Sequence, residues 1–180
     1  MEFTKTKMPD VILITPKIFE DDRGFFLESY QKQHYTNTGV DTNFVQSNHS
    51  GSKKGVLRGL HYQSINPQGK LVKVAVGEIF DVAVDLRINS KTFGQWIGFF
   101  LSSYNKKQLW IPVGFAHGFL VVSDWAEVYY ETTDYYNPKG EHTIIWNDLD
   151  LNIDWPTDNK IPLLSKKDMI GENFKDAIYF

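Results

Sequence analysis

The chain has no cysteine among its 180 residues. That removes disulfide staples, thiolate zinc sites, iron–sulfur clusters and a cysteine nucleophile together. No stretch approaches the ~20 consecutive apolar residues of a membrane-spanning helix. Near the N-terminus only Val11–Ile14 is an apolar run, too short for the core of a secretory leader. Basic charge is not in excess: 19 Lys and Arg against 22 Asp and Glu leave a net charge of −3, unlike a nucleic-acid-binding surface. The expectation is a cytoplasmic protein with neither a nucleic-acid nor a membrane partner. Arginine is also scarce, with Arg23, Arg58 and Arg87 the only three among the 19 basic residues. In a chain that otherwise uses lysine, each guanidinium is expected to have a local reason. Its planar fork grips phosphate or carboxylate bidentately, which an ammonium cannot do.

What is present is a chain of 42% hydrophobic and 15% aromatic residues, enough for a core without staples and close to the ~150 residues of one domain. We therefore expect a single domain over residues 1–180. Short β runs punctuated by glycine, asparagine and proline predict strands at 11–15, 25–29, 44–46, 56–63, 71–76, 79–86, 96–101, 108–111, 118–122, 126–132 and 143–146. Only 30–38, ended by Gly39, and a short segment after Ser165 look helical. The fold class is all-β, an antiparallel sandwich or barrel with a few short helices, and the looser tail from 149 to 180 wraps the sheet. Alternation puts Phe80, Val82 and Val84 on one strand face and Asp81 and Asp85 on the other.

Hydrogen-bonding side chains concentrate in three otherwise apolar stretches. FEDDRGFFLESY carries Arg23 and Glu28. FVQSNHSGSKKGVLRGLHYQ carries Gln46, Asn48, Arg58 and His61, with Lys70 soon after in QGK. WIPVGFAHGFLVVSDWAEVYYETTDYY carries His117, Tyr130 and Tyr136. Histidine has the pKa for proton transfer near neutrality. A tyrosine can return a proton to a carbanion, and a lysine can stabilise an oxyanion. Those are the parts for proton exchange beside a carbonyl.

LRGLHYQ followed by QGK, then GFAHGF, YYETTDYYNP and LLSKKD, resembles the dTDP-4-dehydrorhamnose 3,5-epimerase family over nearly the whole chain. The resemblance implies a cupin-like jelly-roll β-barrel or sandwich, a homodimer, no cofactor, and a dTDP-linked 4-keto-6-deoxyhexose as substrate. It implies that His61 is the base at C3 and C5, both α to the C4 ketone, that Asp168 pairs with it, and that Lys70 stabilises the enolate oxygen. Tyr130 is implied as the acid on the opposite face. Arg23, Glu28, Gln46, Asn48, Arg58, His117, Glu141 and Lys167 match sugar-nucleotide contacts, and Tyr136 the aromatic that stacks on thymine. The family pattern has an acidic residue where Val113 stands. Activity at one carbon only, and a non-catalytic sugar-nucleotide-binding barrel, are the alternatives.

Plainer readings stand beside these. His61 also reads as a hydrogen-bonded core histidine, His117 as a turn residue beside Gly118, and Lys70 as a solvated turn lysine. Ser165–Asp168 fits a helix capping box. Only one of Tyr129 and Tyr130 faces inward, and residues alone do not choose between them. His34, His49 and His142 read as surface, and Arg87 has no assigned role. Arg58 and His61, three positions apart, serve one site only if the strand is kinked, for which Gly59 is the expected bulge point. Metal-binding barrels of this type use His-x-His with a carboxylate and a later histidine. Here Gln63 occupies the second position and His61 and His117 are two histidines without a close carboxylate, so no metal is expected.

Overall fold

Alternating side chains place two antiparallel sheets face to face. The computed structural model describes residues 1–180. Its strands are β1 (Glu2–Lys5), β2 (Ile12–Thr15), β3 (Ile18–Asp21), β4 (Gly24–Leu27), β5 (Gln46–Lys53), β6 (Leu57–Gln63), β7 (Lys70–Val76), β8 (Glu78–Asp85), β9 (Trp96–Ser102), β10 (Gln108–Ile111), β11 (Phe115–Val121), β12 (Trp125–Thr132) and β13 (Glu141–Thr143). One sheet runs β1-β2-β10-β7-β12-β5 and the other β13-β6-β11-β8-β9, with β3 and β4 forming a separate hairpin. The helical content is two single turns, α1 (Lys32–Tyr35) and α2 (Lys166–Met169), and a 3₁₀ turn at Phe174–Asp176. The all-β sandwich expected from the sequence is the observed architecture.

Between the sheets, Val72, Val74, Leu109 and Val128 of one meet Ile79, Ala83, Leu101 and Phe119 of the other. The five-stranded sheet is apolar on its outer face as well, where Leu57, Leu60, Phe80, Val82 and Leu120 pack under Leu151, Trp155 and Phe174 of the tail. That is why the tail wraps the sheet: an apolar outer face must be covered. The six-stranded sheet is covered in part by Tyr35 and Val40, which pack on Ile12, Ile14, Leu71 and Trp110.

Several segments differ from expectation. The helix predicted at 30–38 shortens to α1, and the strand at 44–46 becomes the eight-residue β5. β11 begins at Phe115, so His117 is a strand residue rather than a turn residue. The predicted strand 143–146 lies earlier, as β13, and β1 and β3 were not foreseen. Arg87 gains a structural role: it grips the fully buried Asp85 through Nε (2.8 Å) and Nη2 (2.8 Å) and reaches Asp10 through Nη1 (2.7 Å), tying the N-terminal segment to the end of β8. The Asp85 carboxyl loses solvation by burial, but bonds from Arg87, Ser90 and Thr92 outweigh that and hold its pKa at about 2.

Candidate active site

The interior is not apolar throughout. A polar set of inward side chains lines a cavity of about 320 Å³, with Asn48, Arg58, His61, Lys70, His117 and Tyr130 among its walls. Arg58 and His61 both reach it because β6 carries a bulge: His61 pairs with His117 but Arg58 pairs with Phe119, three steps on β6 against two on β11. The kink sits at Gly59, as expected. Its φ is +128°, and a Cβ there would lie 2.5 Å from Gly118 Cα and 2.8 Å from the His117 carbonyl oxygen. Only glycine permits that backbone at that closeness.

His61 Nε2 donates to Asp168 Oδ1 at 2.6 Å. The carboxylate comes from a strap in the tail that is clipped to the sheet on both sides of α2, through the bridges Val56–Leu163 and Ile144–Glu172. Ser165 caps α2, its Oγ accepting from the Asp168 N–H at 3.1 Å and donating to Asp168 Oδ2 at 2.7 Å. The capping box and the histidine partner are therefore the same residues. Burial pulls the pKa of His61 down, and the Asp168 contact only partly offsets this. Asp168 is also disfavoured as an anion by burial, but the bonds from His61 and Ser165 prevail and its pKa is lowered. With Nε2 committed to Asp168, Nδ1 is the ring nitrogen left to accept a proton.

Lys70 opens β7 with its side chain inward, in register with Val72 and Val74, and is only 9% exposed. It is not a solvated turn lysine. Burial, opposed by the charges of Asp81 and Glu141, brings its pKa down to about 8. Its ammonium donates to the His61 carbonyl at 3.3 Å. On β12 alternation sends Tyr130 inward and Tyr129 outward, where Tyr129 stacks on His49 at 3.9 Å. Burial raises the pKa of Tyr130, so the phenol holds its proton at neutral pH.

At the rim, Glu141 binds the Lys167 ammonium and accepts from Tyr136 Oη at 2.8 Å. Burial disfavours the Glu141 carboxylate, yet those two bonds lower its pKa on balance. Gln46 donates to Asn48 Oδ1 at 2.9 Å and accepts from the Tyr136 backbone N–H at 3.0 Å.

His117 is buried and its Nε2 donates to Asp81 Oδ1 at 2.7 Å. Each cavity histidine thus has its own aspartate, which corrects the expectation that they lack a close carboxylate. Those carboxylates are engaged with the two histidines, and no group of three or more His, Asp or Glu side chains converges as metal ligands would. His142 is not a surface residue either: it stacks on Tyr62 and contacts Ser64 Oγ at 2.8 Å. Ser50, Gln63 and Gln68 line the cavity without having been anticipated, and Asp81 was noticed only as an odd charge on an apolar strand.

Four expected site residues are not among the cavity walls: Asp168 and Lys167 are bonded to the wall residues His61 and Glu141, whereas Arg23 and Glu28 stand apart. Arg23 is 90% exposed and binds Asp21, while Glu28 pairs with His34 at 3.0 Å. Arg23 sits on the β3–β4 hairpin and Glu28 just beyond it. That hairpin also exposes Phe19, Phe25 and Phe26.

The cavity unites a carboxylate-oriented histidine, a buried ammonium and a half-buried phenol, a set able to remove a proton beside a carbonyl, hold the resulting oxyanion and return a proton. The family model for dTDP-4-dehydrorhamnose 3,5-epimerase matches residues 5–176. A Pseudomonas aeruginosa protein of that name is 56% identical over 100% of this chain and 99% of its own. An Escherichia coli protein of that name is 51% identical over 93% and 91%. The crystal structure of the Legionella pneumophila dTDP-6-deoxy-D-glucose-3,5-epimerase in complex with dTDP-4-keto-L-rhamnose is similar with a TM-score of 0.93 and 51% identity, covering 97% of this chain and 93% of that one.

Proposed function

We propose roles for the residues of this chain, which belongs to the dTDP-4-dehydrorhamnose 3,5-epimerase family. Its reaction is epimerisation at C3 and C5 of dTDP-4-dehydro-6-deoxy-D-glucose to give dTDP-4-dehydro-L-rhamnose. His61 Nδ1 takes the proton from a carbon next to the C4 ketone, and the C–H electron pair moves into an enolate whose oxygen is held by Lys70. Tyr130 gives its phenolic proton to the opposite face of that carbon, which inverts it. The imidazolium and phenolate then return to their starting states through solvent, and the cycle repeats at the second carbon. The ketone itself acidifies both C–H bonds. The convergence of the His61–Asp168 pair, Lys70 and Tyr130 on one cavity carries this assignment.

Arg58 supplies the guanidinium for the diphosphate, Gln46, Asn48, His117, Glu141 and Lys167 contact the sugar nucleotide, and Tyr136 stacks on the base. Arg23 and Glu28 belong to the same site through a second copy of the chain, in a homodimer whose partner hairpin closes the cavity mouth. The three exposed phenylalanines of the hairpin support that arrangement. No helix is long and apolar enough to cross a membrane. A cytoplasmic setting goes with a diphosphate-bearing substrate, which a lipid bilayer does not pass unaided.

The test is proton exchange followed by NMR in deuterated water with the dTDP-linked 4-keto sugar, using His61→Ala beside the native chain. Loss of both the C3 and C5 proton signals, abolished in the variant, is the expected result. Exchange at one carbon only would assign a single-site epimerase. Exchange undiminished in His61→Ala would remove His61 from the role of base.

A further inference from the structure

The catalytic assignments leave one buried charge without a task. Asp81, on the inward face of β8, is 0% exposed. Its Oδ1 accepts from His117 Nε2, but its Oδ2 is buried with no hydrogen-bond partner. A fully buried carboxylate with one idle oxygen is costly unless a cation compensates it. Lys70 has the complementary deficit: an ammonium with three donors and a single acceptor, the His61 carbonyl at 3.3 Å. His117 and Lys70 line the same cavity, one bonded to Asp81 and the other drawn to it by charge.

We propose that Asp81 is the positioning residue for Lys70: the ammonium, which here rests on the His61 carbonyl, exchanges onto the free Oδ2, which keeps it charged until the C4 oxygen of the substrate takes over. His117 fixes the orientation of the carboxylate by holding Oδ1. The ammonium then has two acceptors in turn, an aspartate before the substrate binds and an enolate oxygen during reaction. The lysine is charged before the substrate arrives and spends no step acquiring a proton. This rests on the assignment of Lys70 to the enolate oxygen.

The charged and titratable groups facing Lys70 are Arg58 and His61 of β6, Asp81 of β8, His117 of β11, Tyr130 of β12, Glu141 of β13 and Lys167 of α2. Asp81 and Glu141 favour its charged form, and Lys167 opposes it. Removing the Asp81 charge lowers the pKa of the lysine further, so the neutral amine appears at lower pH.

The experiment measures kcat and KM against pH for the native chain, Asp81→Asn and Asp81→Glu, with Lys70→Ala as the control. In Asp81→Asn the alkaline fall in kcat moves down by about one pH unit, with KM changed less than about two-fold. Asp81→Glu, which keeps the charge, restores the limb toward its native position. An alkaline limb in Asp81→Asn that coincides with the native one overturns the proposal while leaving Lys70 in its catalytic role. Full activity in Lys70→Ala overturns that role and the proposal with it. Should Asp81→Asn fail to fold, nitrogen-15 NMR of the native lysine ammonium groups without substrate decides. A Lys70 ammonium hydrogen-bonded to a carboxylate supports the proposal, and one bonded only to a carbonyl overturns it.

Discussion

At the scale of single residues, the chemistry turns on how burial and neighbours divide the protons. A base must be neutral to act, and burial holds the pKa of His61 below its ordinary value of 6.5. Neutral imidazole therefore persists to lower pH, and kcat/KM stays level through neutrality, falling only once the pH passes below that value. Asp168→Asn removes a charge that favours the imidazolium, so the acid limb moves lower still, while loss of ring orientation cuts kcat by roughly 10²–10⁴-fold. A pH–rate profile checks both directions. Tyr130→Phe is expected to retain deuterium uptake at C3 and C5, because the His61 imidazolium exchanges its proton for a solvent deuteron and returns that deuteron to the same face. It should form almost no inverted product, a difference that NMR reads in one tube. Much of this site was legible from residue types, because a strand that spends inward positions on His, Lys or Arg has a reason to do so. The pairing of His117 with Asp81 was not legible, because its partner stands on another strand, 36 positions away.

At the scale of elements, polar strands were the hardest to see. Residues 47–53 form most of β5, yet they offer no apolar face: Asn48 and Ser50 line the cavity, and the alternate positions face outward. Hydrophobic alternation is the signal for a strand, and a strand built to contact a hydrated ligand lacks it. β8 was legible because both of its faces are buried, one between the sheets and one under the tail. The bulge in β6 was legible from a conflict of spacing between Arg58 and His61 that glycine alone resolves. Gly59→Ala is expected to cost roughly 1–3 kcal/mol from its backbone conformation alone, with the clash against Gly118 adding to that. The displacement of His61 lowers kcat by about 10²-fold. Urea unfolding and steady-state kinetics on the same preparation measure the two effects separately.

At the scale of the whole molecule, the β3–β4 hairpin is the element the single chain does not use. Phe25 and Phe26 are 57% and 69% exposed, an apolar surface that a second copy would cover. Replacing both with serine should convert the proposed homodimer to monomer in sedimentation, and Arg23→Ala should raise KM more than it lowers kcat. Sequence alone does not place the hairpin relative to a partner, because register between copies is set by surfaces and not by strand periodicity. The covering tail was foreseen in outline from its broken pattern, whereas its precise route depends on the outer apolar face of the five-stranded sheet.

The strap that delivers Asp168 gives the molecule an order of completion. The floor of the cavity, with Arg58, His61, Lys70, His117 and Tyr130, is translated first, and the carboxylate that orients the base arrives only when residues 163–172 have left the ribosome and clipped onto β6 and the segment after β13. A chain ending before Leu163 would lack both Asp168, which orients the imidazole, and Lys167, which pairs with Glu141 at the rim. The pair that orients the base is therefore the last part of the site to be synthesised.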